Sequence, residues 1–328
     1  MFDRISSVAA RLSPWLIIGG LAYAALFVQV DGATGTMRQP LAESRDLFFG
    51  GAAADGRLWF VGQAGAVLSM DGQSRQWERS QLQPVANLQG IAASGAGVLV
   101  AVGNGGRLWV RDKGGQWTSQ SLPVGDVGNK LIDVAFLDGH FWVVGEMGAL
   151  FRADADGTNW TRLRDAVDVA FNRVRPGPDG SIWVAAEFGH LLHSRDGGVS
   201  WSSVQLGNES LQSIAFAGEE GVVVGNRGQA FRSADGGKSW QPVPAFTTEH
   251  LYDVVARQGG WLVAGDRGAL FSASRAAAHW RPLAPEGSGK RYRTGLLAVQ
   301  EGDVLIGSGI GLLDNEGNYR AWPAEAAR

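Results

Sequence analysis

The segment RSADGGKSW, residues 232–240, carries residue types that would suit two different sites. Its Gly237–Ser239 resembles the end of a phosphate-binding loop, which needs a second Gly five positions earlier and a helix after the motif. Arg232 occupies that earlier position, and Pro242 opposes a helix shortly after Trp240. The sequence therefore argues against nucleotide binding at this segment.

The same segment also fits the spacing S-x-D-x-G-x-x-W, which recurs in SRDGGVSW. A carboxylate at this spacing can accept backbone N–H bonds across a hairpin, Gly supplies a positive φ, and Trp packs between strands. These residues are predicted to be structural. They are Ser194, Asp196, Gly198 and Trp201 in one copy, Ser233, Asp235, Gly237 and Trp240 in the other, and Asp112 and Trp117 in a third, less complete copy.

Other combinations of chemically active residues are weak. His190 and His193 are three positions apart in a predicted strand, so they face opposite sides and cannot clamp one metal ion. The chain has no Cys, which excludes thiolate chemistry and disulfides. We therefore predict no catalytic residues, no metal site, no cofactor and no small-molecule substrate.

The elements that carry these residues repeat along the chain. An aromatic or β-branched run closed by a turn recurs at a spacing of 39 to 42 residues, and a Trp follows each turn. Each unit contains four short strand candidates, which is typical of a β-propeller blade. The sequence thus predicts an all-β fold, a seven-bladed β-propeller with four-stranded blades; a solenoid of hairpins is the alternative. The turns begin at Gly62, Gly103, Gly145, Ala186, Gly225, Gly265 and Gly307.

The S-x-D-x-G-x-x-W segments resemble the Asp-box, or BNR, repeats of sialidase-like propellers over residues 45–323. Enzymes of that group use an arginine cluster, a Tyr-Glu pair and an Asp. The nearest match to their first motif is FNRVRP, with Arg173 and Arg175, but it lies in the fourth unit, and those enzymes have six units rather than seven. The resemblance implies the fold more than the activity. A sialidase-like glycoside hydrolase or carbohydrate-binding propeller remains the alternative function.

The N-terminal residues 1–32 are predicted to be a cytoplasmic stub and a single transmembrane helix that acts as a signal anchor. Arg4 and Arg11 precede an uncharged stretch over 12–30, which would span roughly 28 Å as a helix, close to the thickness of a bilayer core. The arginines keep Met1 in the cytoplasm, so the rest of the chain would lie in the periplasm, attached to the inner membrane. Secretion after signal cleavage is the alternative.

Residues 33–44 are predicted to be a linker, in which 36–42 could supply a closing outer strand to the last blade. The propeller is predicted to occupy residues 45–328. The formal net charge of -3 gives no basic field, so we predict no binding to nucleic acid.

Candidate partner-binding residues lie on one face of the predicted propeller, where the turns between second and third strands meet the blade-to-blade loops. The longest of these loops, EGSGKRYR, would stand beside two arginines and form a basic arc, and Arg and Tyr are enriched in interface anchors. The candidates are Glu146, Glu187, Phe188, Arg227, Arg267, Lys290, Arg291, Tyr292 and Arg293.

Seven Asp-box blades, most of them incomplete, after an export segment also resemble the photosystem II stability and assembly factor family. That resemblance implies a non-enzymatic helper of membrane complexes with an arginine-rich face. Relatives of this family occur in bacteria without photosystems, some beside exporters of the resistance-nodulation-division class. By resemblance, we expect an assembly or accessory scaffold for a membrane protein complex, such as an exporter of that class.

Overall fold

The computed structural model describes Leu41, Glu43 and residues 45–323, and the regular structure of that part consists of β-strands and single 3-10 turns. The strands form seven antiparallel sheets of four, each built from consecutive strands. We number them β1 to β28, so that β1–β4 form blade 1 and β25–β28 form blade 7. Their bounds are Phe48–Ala54, Arg57–Gly62, Ala66–Asp71 and Trp77–Gln81 in blade 1; Leu88–Ala93, Leu99–Gly103, Arg107–Arg111 and Trp117–Ser121 in blade 2; Leu131–Leu137, His140–Gly145, Leu150–Ala153 and Thr161–Arg162 in blade 3; Phe171–Pro176, Ile182–Ala186, His190–Ser194 and Ser202–Gln205 in blade 4; Leu211–Ala217, Glu220–Gly225, Ala230–Ser233 and Gln241–Pro242 in blade 5; Leu251–Arg257, Gly260–Gly265, Leu270–Ser274 and Trp280–Pro282 in blade 6; and Arg293–Val299, Gly302–Gly307, Gly309–Asp314 and Tyr319–Trp322 in blade 7.

The blades form a closed ring. The first strand of each blade contacts the first strand of the next blade, and β25 of blade 7 contacts β1 of blade 1. The sequence prediction of a seven-bladed propeller with four-stranded blades is confirmed. One blade cannot bury its own apolar faces and must pack against two neighbours. The regular repeat of 39 to 42 residues was therefore a sufficient signal for the ring of blades.

The apolar core is divided into seven clusters, one between each pair of adjacent blades. Between blades 2 and 3, for example, Val100 and Val102 pack with Phe141 and Val143, and all four side chains are buried. The cluster between blades 6 and 7 is the smallest, with six buried residues. That interface is therefore the least filled by apolar side chains.

Every first strand carries a β-bulge next to its first residue, since its pairing with the second strand skips one position. A bulge redirects the side chains on either side of it. The residues just after the bulges are small or charged, and they lie at equivalent positions around the axis. They are Gly50, Gly90, Asp133, Arg173, Ser213, Asp253 and Gly295.

Blades 7 and 1 meet without sharing a strand. Thr294 Oγ1 donates to the carbonyl of Phe48 at 3.0 Å, and the rings of Trp77 and Trp322 meet edge to face at 5.7 Å. The outer strand of blade 7 is Tyr319–Trp322, so all four of its strands come from the C-terminal end of the chain. The predicted closing segment 36–42 lies outside the described residues except for Leu41.

The predicted membrane segment 12–30 also lies outside the described residues. Within the described part, no helix has both the length and the apolar character that crossing a bilayer requires.

Candidate functional site

The two complete Asp-box turns close on themselves through hydrogen bonds. In blade 5, Asp235 accepts the Ser239 backbone N–H at 2.9 Å and the Ser239 hydroxyl at 2.6 Å, while the Ser233 hydroxyl donates to Asp235 at 2.8 Å. Asp196 of blade 4 makes the equivalent bonds. Hydrogen bonds from Ser200 and Ser239 lower the pKa of Asp196 and of Asp235, each to about 2. Both carboxylates are therefore ionised and occupied within their own turns.

The Gly of each complete turn covers the preceding blade. Gly198 has φ +87° and lies against Trp142, and Gly237 has φ +82° and lies against Trp183. A Cβ at Gly237 would come within 2.5 Å of the Trp183 ring. The box Trp then meets the same ring edge to face, at 6.0 Å for Trp240 on Trp183. These turns thus stabilise the blade interfaces, which is a structural role.

The third box is less complete but keeps part of this geometry. Asp112 accepts the Gln116 backbone N–H at 2.9 Å, and Trp117 meets Trp59 of blade 1 edge to face at 6.4 Å. Its carboxylate is also used to shape a turn.

The two histidines of blade 4 lie apart, as their spacing predicts. His193 stacks on Trp183 at 4.5 Å, and burial lowers the pKa of its imidazole. His190 lies near the hydroxyl of Ser203, at 3.5 Å. Among the described residues, no cluster of three or more His, Asp or Glu side chains could hold a metal ion.

Arg173 reaches across the axis of the ring from blade 4. Its guanidinium lies 3.5 Å from Asp133 of blade 3 and 3.7 Å from Asp253 of blade 6, and it donates to the carbonyls of Tyr252 at 3.3 Å and Thr294 at 3.2 Å. Only 13% of the side chain is exposed. Burial alone would lower the pKa of Arg173, but the two carboxylates more than compensate and raise it. One cation therefore links four blades.

The two aspartates also join neighbouring blades directly. Asp133 accepts the Val174 backbone N–H at 3.0 Å and the Arg175 guanidinium at 2.8 Å, both from blade 4. Asp253 accepts the Ser213 hydroxyl of blade 5 at 2.6 Å and the Leu296 backbone N–H of blade 7 at 2.9 Å. Each buried carboxylate thus has several donors, as a buried charge requires.

This network uses the arginines that most resemble a sialidase motif. Arg173 and Arg175 are both paired with buried carboxylates inside the ring, so neither guanidinium is free to bind the carboxylate of a substrate. The arrangement holds blades together and supplies no exposed acid–base pair.

The face opposite the Asp-box turns, which we call the tip face, carries the hairpin tips between second and third strands. The middle residue of five tips has a positive φ although it is not Gly. A left-handed conformation costs a non-Gly residue about 1–2 kcal/mol, which hydrogen bonding of the tip must offset. These residues are Ala64, Met147, Phe188, Arg227 and Arg267.

Glu146 and Glu187 brace the tip face. Glu146 accepts the backbone N–H of Lys130 at 3.0 Å, and Glu187 accepts that of Ala170 at 2.9 Å. Each carboxylate thereby fixes the loop that enters its own blade. Phe188 has no such role, and 54% of it is exposed.

The predicted basic arc is balanced by acidic neighbours. Arg227 lies 3.6 Å from Glu209, and Arg267 lies 3.6 Å from Glu249, with both guanidinium groups mostly exposed. The tips and loops of blades 5 to 7 on this face hold four cations and four carboxylates, so they carry no net charge. Exposed ion pairs of this kind are worth about 0–1 kcal/mol and exchange readily.

The loop EGSGKRYR divides into exposed and buried residues. Lys290 and Arg291 are exposed, and Arg291 donates to the carbonyl of Ser308 at 3.3 Å. Tyr292 is half-buried and meets Tyr252 edge to face at 5.1 Å; burial raises the pKa of both phenols.

Arg293 is 2% exposed, so it is placed to support blade 7 rather than to contact a partner. Its guanidinium donates to the carbonyl of Ser288 at 2.9 Å and lies over the ring of Tyr319. It begins an inner strand, where the other six blades have Leu or Phe. Its position in the strand, rather than its charge, decides its burial.

The sequence did not predict two grooves on the Asp-box face, one on each side of the blade 7 hairpin. The groove between blades 6 and 7 measures about 650 Å³ and contains Arg257, which lies 2.7 Å from the buried Asp303. Burial raises the pKa of Asp303, and Arg257 partly opposes that rise. The groove between blades 7 and 1 measures about 450 Å³ and contains Arg75, which is paired with Glu301.

The turns between the third and fourth strands differ in length around the ring. Seven residues separate the third and fourth strands of blades 4 and 5, but only four do so in blade 7 and five in blade 1. The short blade 7 turn leaves Gly317 without neighbours, whereas Gly237 of the long turn lies on a Trp ring.

Comparison with known sequences identifies the family. The profile of the photosynthesis system II assembly factor YCF48 matches residues 113–209 and 166–303, which together span more than half of the chain. The chain belongs to the YCF48 assembly factor family. This confirms the predicted resemblance. No protein among the curated sequences matches the chain.

Solved structures of YCF48 have the same fold. A structure of YCF48 bound to D1 peptide has a TM-score of 0.66 and 17% identity, covering 81% of this chain and 92% of that one. YCF48 from Cyanidioschyzon merolae has a TM-score of 0.66 and 16% identity, covering 81% of this chain and 94% of that one. At such low identity the likeness concerns the fold alone.

The residues of this YCF48 family member that most shape its site were only partly identified from the sequence. The network of Arg173, Asp133 and Asp253 joins residues 40 to 121 positions apart, counting its bonds to backbone carbonyls. The FNRVRP motif indicates its arginines as candidates, but no local pattern indicates which carboxylates they meet.

Proposed function

We propose that this protein is a non-enzymatic scaffold that binds a subunit of a membrane protein complex and assists its assembly. The family match over more than half of the chain carries the proposal. A YCF48 protein has been solved with a bound D1 peptide, and that example supports a role in binding a segment of a partner protein. The charged groups of the axial network are paired with one another inside the ring, so they offer no free acid or base to a substrate, and this supports binding rather than catalysis.

The tip face is the surface we propose for this contact. Arg227 and Arg267 are held only by exposed pairs at 3.6 Å, so acidic groups of a partner can replace Glu209 and Glu249. Lys290 and Arg291 extend the same surface, and the half-buried Tyr292 adds a rigid aromatic anchor. Glu146, Glu187 and Phe188 complete the proposed surface on blades 3 and 4.

We further propose that residues 1–32 anchor the chain in the inner membrane, with the propeller in the periplasm. The uncharged stretch at 12–30 and the two arginines before it support this placement. An exporter of the resistance-nodulation-division class is the client that the resemblance suggests, and its subunits are the first to look for in a purified complex.

The test is co-purification of the tagged full chain from membranes, followed by mass spectrometry. Changing Arg267, Lys290 and Arg291 together to Glu should reduce recovery of the membrane subunit at least tenfold. The matched control changes Lys113, Arg195 and Lys238 to Glu. These three are exposed on Asp-box turns of the opposite face, so the control alters the net charge equally.

Equal recovery from the two triple variants would refute the assignment of the tip face. Recovery of no membrane protein by the wild-type chain would refute the scaffold function itself. Hydrolysis of an aryl glycoside by the pure protein, abolished by Arg173→Met, would establish the alternative function instead.

A further inference from the structure

The exposed apolar side chains of the tip face are confined to the half away from Arg227, Arg267 and Arg291. In the described part of the chain, exposed large hydrophobic residues on this face occur at Val85, Val127, Val167 and Phe188, all in blades 1 to 4 or the loops between them. Val127 is 83% exposed and Val167 is 41% exposed. Single exposed apolar residues are ordinary, but several on one arc indicate a contact surface.

Val127, Val167 and Phe188 lie along one arc of the tip face, from the loop before blade 3 to the tip of blade 4. Gly128, next to Val127, lies against the side chain of Met147, so closely that a Cβ added at Gly128 would be 2.5 Å from Met147 Cγ. Val167 donates its backbone N–H to the carbonyl of Met147 at 3.2 Å. Phe188 occupies in blade 4 the tip position that Met147 occupies in blade 3. We call Val127, Met147, Val167 and Phe188 the apolar arc.

The conformation of Phe188 supports a role beyond folding. Its φ is +55°, a region in which Gly would be less strained, and its ring is exposed rather than packed in the core. Blade 2 has Gly105 at the equivalent tip, so the fold does not need a side chain there. An exposed ring held at a conformational cost favours a contact with another molecule.

The charged residues around the apolar arc indicate the charge expected of the partner. The tips and loops of blades 3 and 4 and the loop before blade 3 hold five carboxylates and two cations. Glu146 and Glu187 brace loops, and Lys130 lies near Glu146. Asp126, Asp165 and Asp168 are exposed, and within the described structure their carboxylates make no hydrogen bond or salt bridge.

We infer that the apolar arc binds a protein segment that presents apolar side chains together with lysines or arginines. The apolar residues of the segment would cover Val127, Met147, Val167 and Phe188, and its cations would face Asp126, Asp165 and Asp168. The same carboxylates would repel anionic lipid headgroups, so a membrane surface fits less well. This inference rests on the proposed function, since it assigns a second class of segment to the same tip face.

The test measures binding of a labelled synthetic peptide of leucine and lysine to the full chain by fluorescence anisotropy, with detergent below its critical micelle concentration. The wild-type chain should bind this peptide, and a peptide with glutamate in place of lysine should bind much more weakly. Phe188→Gly removes the ring and relieves the left-handed strain, so it should fold normally while weakening binding about fivefold to tenfold. Val127→Ser should weaken it in the same direction.

Ala64→Gly is the matched control. Ala64 has φ +53° at the equivalent tip of blade 1, so the change relieves the same strain outside the arc and should leave peptide binding unchanged. Changing Asp126, Asp165 and Asp168 together to Asn should make binding to the leucine and lysine peptide weaker and less sensitive to salt.

Unchanged binding in Phe188→Gly and Val127→Ser would overturn the inference, as would equal binding of the lysine and glutamate peptides. Retention on vesicles that depends on Phe188, without peptide binding, would assign the arc to lipid instead. If a membrane subunit co-purifies but neither peptide binds, the inference fails and the scaffold function stands. If the peptide binds but no membrane subunit is recovered, the scaffold function fails.

Discussion

Replacing Arg173 with Met tests how the ring is held at its axis. The change keeps most of the side-chain volume and removes the one cation shared by Asp133 and Asp253, whose side chains are 5% and 3% exposed. Breaking a buried ion pair from one side costs about 3–5 kcal/mol. After the change, Asp133 keeps its ion pair with Arg175 at 2.8 Å, and Asp253 keeps its neutral donors. Neither carboxylate is left without a partner, so we expect a cost at the lower end of that range, about 3 kcal/mol.

The assay is thermal and urea unfolding of the full chain and its variants. The entropy of unfolding of residues 45–323 is about 0.6 kcal/mol/K, so a loss of about 3 kcal/mol should lower the melting temperature by about 5 °C. Arg173→Lys keeps the charge but loses the fork that reaches the carbonyls of Tyr252 and Thr294, so it should cost less, about 1 kcal/mol.

A double-mutant cycle with Asp253→Asn decides whether charge is the cause. If the unpaired carboxylate accounts for the loss, the double variant should be more stable than the sum of the two single changes predicts, by at least about 1 kcal/mol. Additivity within about 0.5 kcal/mol would refute the reasoning, because the cost would then come from packing alone.

Two further changes test the Asp-box turns. Gly237→Ala should cost about 3 kcal/mol, from a left-handed Ala and from a Cβ within 2.5 Å of Trp183, whereas Gly197→Ala, at φ +67° with no neighbour, should cost only about 1 kcal/mol by urea unfolding. The folded-state pKa of about 2 for Asp196 and Asp235 lies below the unfolded value, so their stabilisation is present above about pH 4 and is lost as the pH falls towards about 2. As the pH is lowered across that range, the melting temperature should fall less steeply for Asp235→Asn than for the wild-type chain. Equal slopes would contradict a stabilising role for the ionised Asp235 carboxylate.

The fold could be predicted from the sequence because its evidence is local and repeated. Each blade shows its turn and its Trp at a nearly constant spacing, and the second and third strands follow from alternating apolar runs. The Asp-box pattern also fixes which turn surrounds Asp196 and Asp235, since all their donors lie within four residues. Local hydrogen bonding of this kind needs no tertiary information.

The site could be predicted only in part because its contacts are distant in the sequence. Arg293 ends a run of charged residues that is typical of an exposed loop, yet it is the first residue of an inner strand and is buried. Arg227 and Arg267 were expected to make a basic arc, but Glu209 and Glu249 of the preceding loops lie beside them. Neither pairing follows from a motif, because each depends on how adjacent blades pack.

The Asp-box face of the ring stabilises the fold, and the tip face is the one proposed to contact a partner. On one face the long turns of blades 4 and 5 place Gly198 and Gly237 on the Trp rings of the preceding blades, so their polar groups are consumed in holding the ring together. On the tip face, side chains such as Phe188 and Arg267 stand exposed on strained hairpin ends that no neighbouring blade covers. Blade 2 has Gly at the equivalent tip, so the fold does not require a side chain there, and the exposed Phe188 and Arg267 are the residues on which the proposed contact with another molecule depends.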